Sequence, residues 1–166
     1  MPLSIGNRRV HADVKQLLIV ANLPSANTRS LAEAVLEGAQ HPDVGGVECR
    51  LLDALEASSD DVLSSDAVIL GTTENFGLLS GRLKDFLERV YYPCLEHTEG
   101  MPWALYVRAG NDGEGAVRSV ERIVTGMRWR AVHPAQVWSG DWRNDFLDSA
   151  HELGTTIAAA LELGSI

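Results

Sequence analysis

The sequence predicts an α/β fold: a five-stranded parallel sheet in the order 2-1-3-4-5, covered by helices on both faces. Three observations carry that expectation. Apolar runs alternate with segments of helical period along the chain, the pattern of successive strand–helix units. The runs at 17–21, 67–70 and 103–107 are continuously apolar or aromatic, as strands covered on both faces must be. The remaining two candidate strands are weaker, one alternating in polarity and one broken by Pro134, and this puts them at the edges.

Taken in order, residues 1–14 are mixed in character and are expected to form a loosely tied arm on a single domain spanning 1–166. The first strand is placed at 16–21. The first helix, at 28–39, carries Leu31, Ala32, Val35, Leu36 and Ala39 on one face. His41-Pro42-Asp43 and Gly45-Gly46 mark a turn. In the second strand Val47, Cys49 and Leu51 alternate with Glu48 and Arg50. Residues 54–64 read as a short helix with flanking loops, and the third strand follows at 67–70. The next helix buries Leu79, Leu83, Phe86, Leu87 and Val90 and stops near Pro93. The fourth strand is 103–107. The helix after it aligns Val117, Val120, Ile123, Val124 and Met127. A fifth strand is expected at about 131–138, then a last helix with Phe146, Leu147, Ala150, Leu153, Ile157 and Leu161.

Composition narrows the function. The chain has 166 residues, 45% of them hydrophobic, enough for one substantial core. With 23 acidic and 14 basic residues its net charge is −9, which argues against nucleic acid as a partner. Cys49 and Cys94 form no CxxC pair, and no secretory leader is evident, so a cytoplasmic setting is expected. No apolar run approaches the roughly 20 residues needed to span a bilayer, so no membrane insertion is expected. The five histidines show no ligand spacing, and no metal site is assigned.

Three polar loops follow strands one, three and four: Asn22-Leu23-Pro24-Ser25-Ala26-Asn27-Thr28, Gly71-Thr72-Thr73-Glu74-Asn75-Phe76-Gly77, and Ala109-Gly110-Asn111-Asp112-Gly113. In the order 2-1-3-4-5 these are the central strands, so the loops converge on one rim, where open parallel sheets bind ligands. The first loop precedes a helix, whose free N–H groups and dipole suit a phosphate. Its other reading is an ordinary cap, with Asn27 or Thr28 satisfying its own helix. Residues 21–29 contain no glycine, which excludes the G-x-G-x-x-G dinucleotide loop. A Gly-Lys-Ser/Thr loop is absent. A phospho-acceptor receiver needs acidic residues where Asn22 and Gly71-Thr72 stand. Flavin mononucleotide (FMN) remains, its phosphate at residues 25–28 and its flat ring against 72–77 and 109–113.

Those residues also resemble a known family. Ser25-Ala26-Asn27-Thr28 resembles the Thr-Gly-Asn-Thr phosphate loop of flavodoxins. Gly71 to Gly77, continuing through Ser80-Gly81 to Lys84-Asp85-Phe86-Leu87, resembles the second flavin loop of the flavodoxin-like FMN reductases and quinone reductases. Those proteins carry Gly-Thr-Pro, a Phe-Gly or Tyr-Gly, then Ser-Gly before a Lys-x-Phe helix. Residues 109–113 resemble their third loop. The likeness covers about residues 16–130. Ala26 replaces the usual Gly, Pro24 stiffens the loop, and Thr73 stands where Pro is common.

The resemblance implies a flavodoxin-like three-layer sandwich binding FMN, and FAD less well. It implies an NAD(P)H-dependent reductase that passes electrons from NADPH or NADH to a quinone or flavin acceptor; a non-enzymatic electron carrier is the alternative, and a flavodoxin-like domain without flavin a third. Ser25, Asn27 and Thr28 would donate to the phosphate, with Asn22 and Ala26 in the same loop. Thr72, Thr73, Glu74, Asn75, Phe76 and Gly77 would line the ring, mainly through backbone, with Phe76 either a wall or part of the core. Ala109, Gly110, Asn111 and Gly113 would approach the ring edge, while Asp112 could cap the next helix. Trp138 and Trp142 are more readily packing residues than a flavin shield. No protein acid–base residue is needed for hydride transfer, so none is assigned as catalytic. The implied partners are a small-molecule acceptor or a redox protein, with a homo-oligomer possible.

Overall fold

The computed structural model describes residues 14–166. Its elements run β1 (Lys15–Ala21), α1 (Ala26–Ala39), β2 (Val47–Asp53), α2 (Ser59–Leu63), β3 (Ala67–Asn75), β4 (Leu78–Leu79), α3 (Gly81–Cys94), β5 (Pro102–Ala109), α4 (Glu114–Gly126), β6 (Arg130–Ala131), β7 (Gln136–Ser139) and α5 (Asp145–Glu162). The arm expected at 1–14 lies, apart from Val14, outside the described residues. The sheet order is β2-β1-β3-β5-β6, all parallel, with β7 also pairing β5. This is the expected order, its last position shared by two short strands.

The two-residue period of the strands divides the interior into two cores. Leu18, Val20, Val68, Leu70, Leu105 and Val107 face α3 and α4, where Leu83, Phe86, Leu87, Val90, Val120 and Val124 close over them. Leu17, Ile19, Ala21, Ile69, Ala104 and Tyr106 face α1 and α5, against Leu31, Val35, Phe146, Leu153 and Ile157. Each of the Val, Leu, Ile and Phe side chains among them contributes about 1.5–3 kcal/mol when taken from water. That explains why the three central strands carry apolar residues on both faces while β2 is half-buried along its length.

Two expectations are corrected. The fifth strand is not continuous over 131–138 but breaks into β6 and β7. Pro134 has no N–H for the ladder and biases the residue before it, so pairing to β5 stops and restarts. Residues 71–77 are not simply a loop. β3 continues through Asn75 and folds back on β4 in an antiparallel hairpin, pairing Glu74 with Leu79 and Asn75 with Leu78. Phe76 and Gly77 form its two-residue turn, with φ of 52° and 74°. Positive φ at both central positions matches the right-handed twist of a hairpin. Glycine takes this conformation readily, whereas phenylalanine takes it at a cost.

Candidate functional site

The first loop closes on itself. Ser25 is the N-cap of α1, and its hydroxyl accepts from the Thr28 N–H at 3.2 Å. The Thr28 hydroxyl accepts from the Ser25 N–H at 3.0 Å and donates to the Ser25 carbonyl at 2.9 Å. This reciprocal capping box satisfies two of the donors a helix start leaves free. Thr28 is buried, whereas Ser25, Ala26 and Asn27 are exposed. The N–H groups of Ala26 and Asn27 have no partner among the described residues. The capping role considered for Thr28 is therefore the one its hydroxyl fills. An anion at this helix end meets the Ala26 and Asn27 N–H groups, the Asn27 side chain and the positive end of a 14-residue helix.

The hairpin stands beside this loop. Asn22 follows β1, its N–H bound to the Gly71 carbonyl at 3.0 Å across the β1–β3 seam. Its side-chain amide donates to Thr73 Oγ1 at 2.9 Å, and Thr73 Oγ1 donates to Asn75 Oδ1 at 2.9 Å. Thr72 points the other way: its buried hydroxyl accepts from the Ser80 N–H and ties the hairpin base to the start of α3. Phe76, at the apex, is fully exposed and belongs to neither core.

The third loop completes the rim. The Asn111 N–H donates to Glu74 Oε1 at 3.3 Å. Gly110 is exposed, with open space where a Cβ would stand. Ala109 is buried at the end of β5. Gly113 is buried with φ 72°, and a Cβ there would lie 2.6 Å from Val137 Cγ1, so its glycine answers to packing. Asp112 Oδ1 accepts from the Glu114 N–H at 3.0 Å at the start of α4. Thus hydrogen bonds join Asn22, Thr73 and Asn75 in one chain and Glu74 and Asn111 in a second pair, Ser25–Thr28 form a unit beside them, and Thr72, Ala109 and Gly113 are turned into the fold.

Three residues that shape this rim escaped the sequence reading. Gly115 opens α4, and a Cβ there would overlap the Gly77 carbonyl, so the helix and the hairpin turn meet backbone to backbone. Ser119 Oγ accepts from the Leu79 N–H at 3.0 Å and holds the return strand. Tyr106 lies across Gly71, where a Cβ would overlap its ring, and stacks on Trp138 at 5.3 Å. Burial drives the Tyr106 phenol pKa far above its ordinary range. A Gly beside an apolar helix face is the only trace Gly115 leaves in sequence. Trp138 is core, and Trp142 packs edge-on against Phe146 at 5.8 Å, beside the Arg108 guanidinium. Among the described residues no group of three or more His, Cys, Asp or Glu is placed to hold a metal, and no helix is long and apolar enough to cross a membrane.

No protein-family model matches the chain. The chain is similar to a flavodoxin of Aquifex aeolicus (strain VF5), 31% identical over 110 residues, which cover 66% of this chain and 58% of that protein. The match thus spans less than two thirds of that relative's length. The fold matches a flavodoxin from the domain Archaea, TM-score 0.76 at 18% identity over 89% of this chain and 99% of that one. It also matches a flavodoxin, WrbA-like protein from Agrobacterium tumefaciens, TM-score 0.73 at 16% identity over 90% and 98%. An NADH:FMN oxidoreductase in its apo form gives TM-score 0.70 at 14% identity over 88% and 89%. The architecture is the flavodoxin-like fold.

Proposed function

We propose that the chain is an FMN-binding redox flavoprotein, working as an NAD(P)H-dependent reductase that serves a quinone or flavin acceptor. The observation that carries this reading is one rim where free N–H groups of a long helix lie beside an exposed, left-handed hairpin apex. The residues fit the cofactor. Ala26 and Asn27 N–H groups, with the α1 dipole, would hold the phosphate. Residues 73–77 would line the ring through backbone groups, with Phe76 as an apolar wall, and the open space at Gly110 admits the ring edge. When bound, FMN supplies the redox chemistry. The chain's own residues bind it, orient it and set how much of it meets solvent.

An open ring face favours the reductase. Among the described residues, the two aromatic side chains beyond β5 that could cover it are committed elsewhere, Trp138 to the core and Trp142 to Phe146. A nicotinamide would therefore find room to stack. Electron carriage without enzymatic turnover is the second reading, favoured by the 31% identical relative, a flavodoxin. Anaerobic mixing of FMN-loaded protein with NADH or NADPH tests the choice. The reductase reading expects the flavin absorbance to bleach within seconds and a quinone to restore it. A flavin that stays oxidised with both nucleotides, yet is reduced by a redox protein, assigns the carrier role instead.

A further inference from the structure

We propose that Asn22 is a positioning residue that transmits occupancy of the first loop to the hairpin: its side-chain carbonyl accepts a hydroxyl from the ligand's polyol chain, and its amide passes the effect through Thr73 to Asn75. The inference rests on the FMN reading above. Asn22 is 5% exposed, and its Oδ1 has no hydrogen-bond partner among the described residues. A buried acceptor left in that state is costly, and natural sites provide it with a donor. The other half of the same carboxamide donates one of its two protons to Thr73 Oγ1, at 2.9 Å.

The chain of bonds has a direction. A threonine hydroxyl owns one proton, so Thr73 accepts from Asn22 and spends that proton on Asn75 Oδ1. The head of the chain is the acceptor that lacks a donor; its tail lies one residue before the left-handed Phe76. A donor arriving at Asn22 Oδ1 polarises the carboxamide and strengthens each following bond. The head cannot drift away, because the Asn22 backbone is pinned to Gly71 at the β1–β3 seam. An aliphatic hydroxyl is the matching chemistry. A phosphate at neutral pH offers acceptors where Oδ1 needs a donor. In FMN the ribityl hydroxyls lie between phosphate and ring, as Asn22 lies between the Ser25–Thr28 loop and the hairpin.

FMN titration and amide hydrogen exchange of residues 73–77, with and without FMN, test this on the wild type, Thr73→Val and Thr73→Ser. FMN should slow hairpin exchange in the wild type and in Thr73→Ser, which keeps the hydroxyl. Thr73→Val keeps the shape and cuts the chain; it should bind FMN roughly fivefold to tenfold more weakly, the weight of one hydrogen bond, and its hairpin exchange should no longer respond to FMN. A Thr73→Val protein with wild-type affinity, or one whose hairpin FMN still slows, overturns the proposal while leaving FMN binding in place. A wild type that does not bind FMN removes the underlying reading as well.

Discussion

The two helical layers are built to different tolerances. On one face of the sheet α1 and α5 meet backbone to backbone: a Cβ at Gly154 would overlap the Val35 carbonyl, and one at Gly38 would overlap the His151 carbonyl. Thr155 Oγ1 donates to the Gly38 carbonyl at 2.9 Å and locks that approach. On the other face α3 and α4 stand apart, with Tyr91 reaching across to Gly126. A surface groove of about 450 Å3 lies between them, lined by Leu87, Tyr91, Tyr92 and Ile123. The first loop opens a helix of the tight layer; its Ser25 and Thr28 hydroxyls satisfy each other, and its Ala26 and Asn27 N–H groups stay free among the described residues. The hairpin belongs to the loose layer and ends in an exposed phenylalanine at positive φ. On the proposed reading the site would join an anion cradle on the tight layer to a more adjustable ring support, an arrangement in which affinity can reside in one half and access in the other.

Breaking the tight layer should have the largest effect. Gly→Ala inside a helix ordinarily gains about 0.5–1 kcal/mol. Gly154→Ala should instead lose about 2–3 kcal/mol, because its methyl has backbone on the far side that cannot give way; urea denaturation measures this, and a neutral or stabilised variant would show the layers to be alike. Tyr106 sharpens the same point through pH. Its pKa is raised in the folded state, so its contribution is full below the unfolded value near 10 and is lost as pH rises toward the folded value. Above about pH 10 the wild type should lose roughly 1.4 kcal/mol per pH unit more than Tyr106→Phe, read from melts across an alkaline series.

In the loose layer the cost should appear in binding. Gly115→Ala pushes the Gly77 carbonyl, and the hairpin should shift rather than the fold fail. Stability should fall by less than about 1 kcal/mol and FMN affinity by roughly fivefold, a comparison made by paired melts and fluorescence titrations. Ser25→Ala, at the seam between the layers, should be mildest. It removes half a capping box for about 0.5–1 kcal/mol. Because the proposed anion donors are backbone N–H groups, the FMN dissociation constant should change less than about threefold, as calorimetry would report.

Much of this was legible in the residues. The continuous runs at 17–21, 67–70 and 103–107 placed the central strands, because burial on both faces leaves no other composition, and the loops after them followed from topology. The hairpin was hidden because Thr73, Glu74 and Asn75 are polar and continue a strand past the point where the core needs it. Phe76 was ambiguous because an exposed aromatic at a left-handed turn defies both burial and turn preference. Gly38 and Gly154 carry no local signal, and Gly115 only its place beside an apolar helix face, since what forbids a side chain at each is another segment of backbone. The hydroxyls of Ser25 and Thr28 read equally as cap and as ligand donors. Only their mutual distances show that they are spent on each other.

The proposed function stands or falls with FMN binding at this rim, between the α1 N-terminus and the hairpin. Titrating the protein into FMN and into riboflavin, with flavin fluorescence as the readout, tests it most directly. FMN should be quenched at micromolar protein and riboflavin should bind more weakly by about tenfold or more, since riboflavin lacks the phosphate that the Ala26 and Asn27 N–H groups would hold. Absence of quenching, or equal affinity for the two flavins, would contradict it.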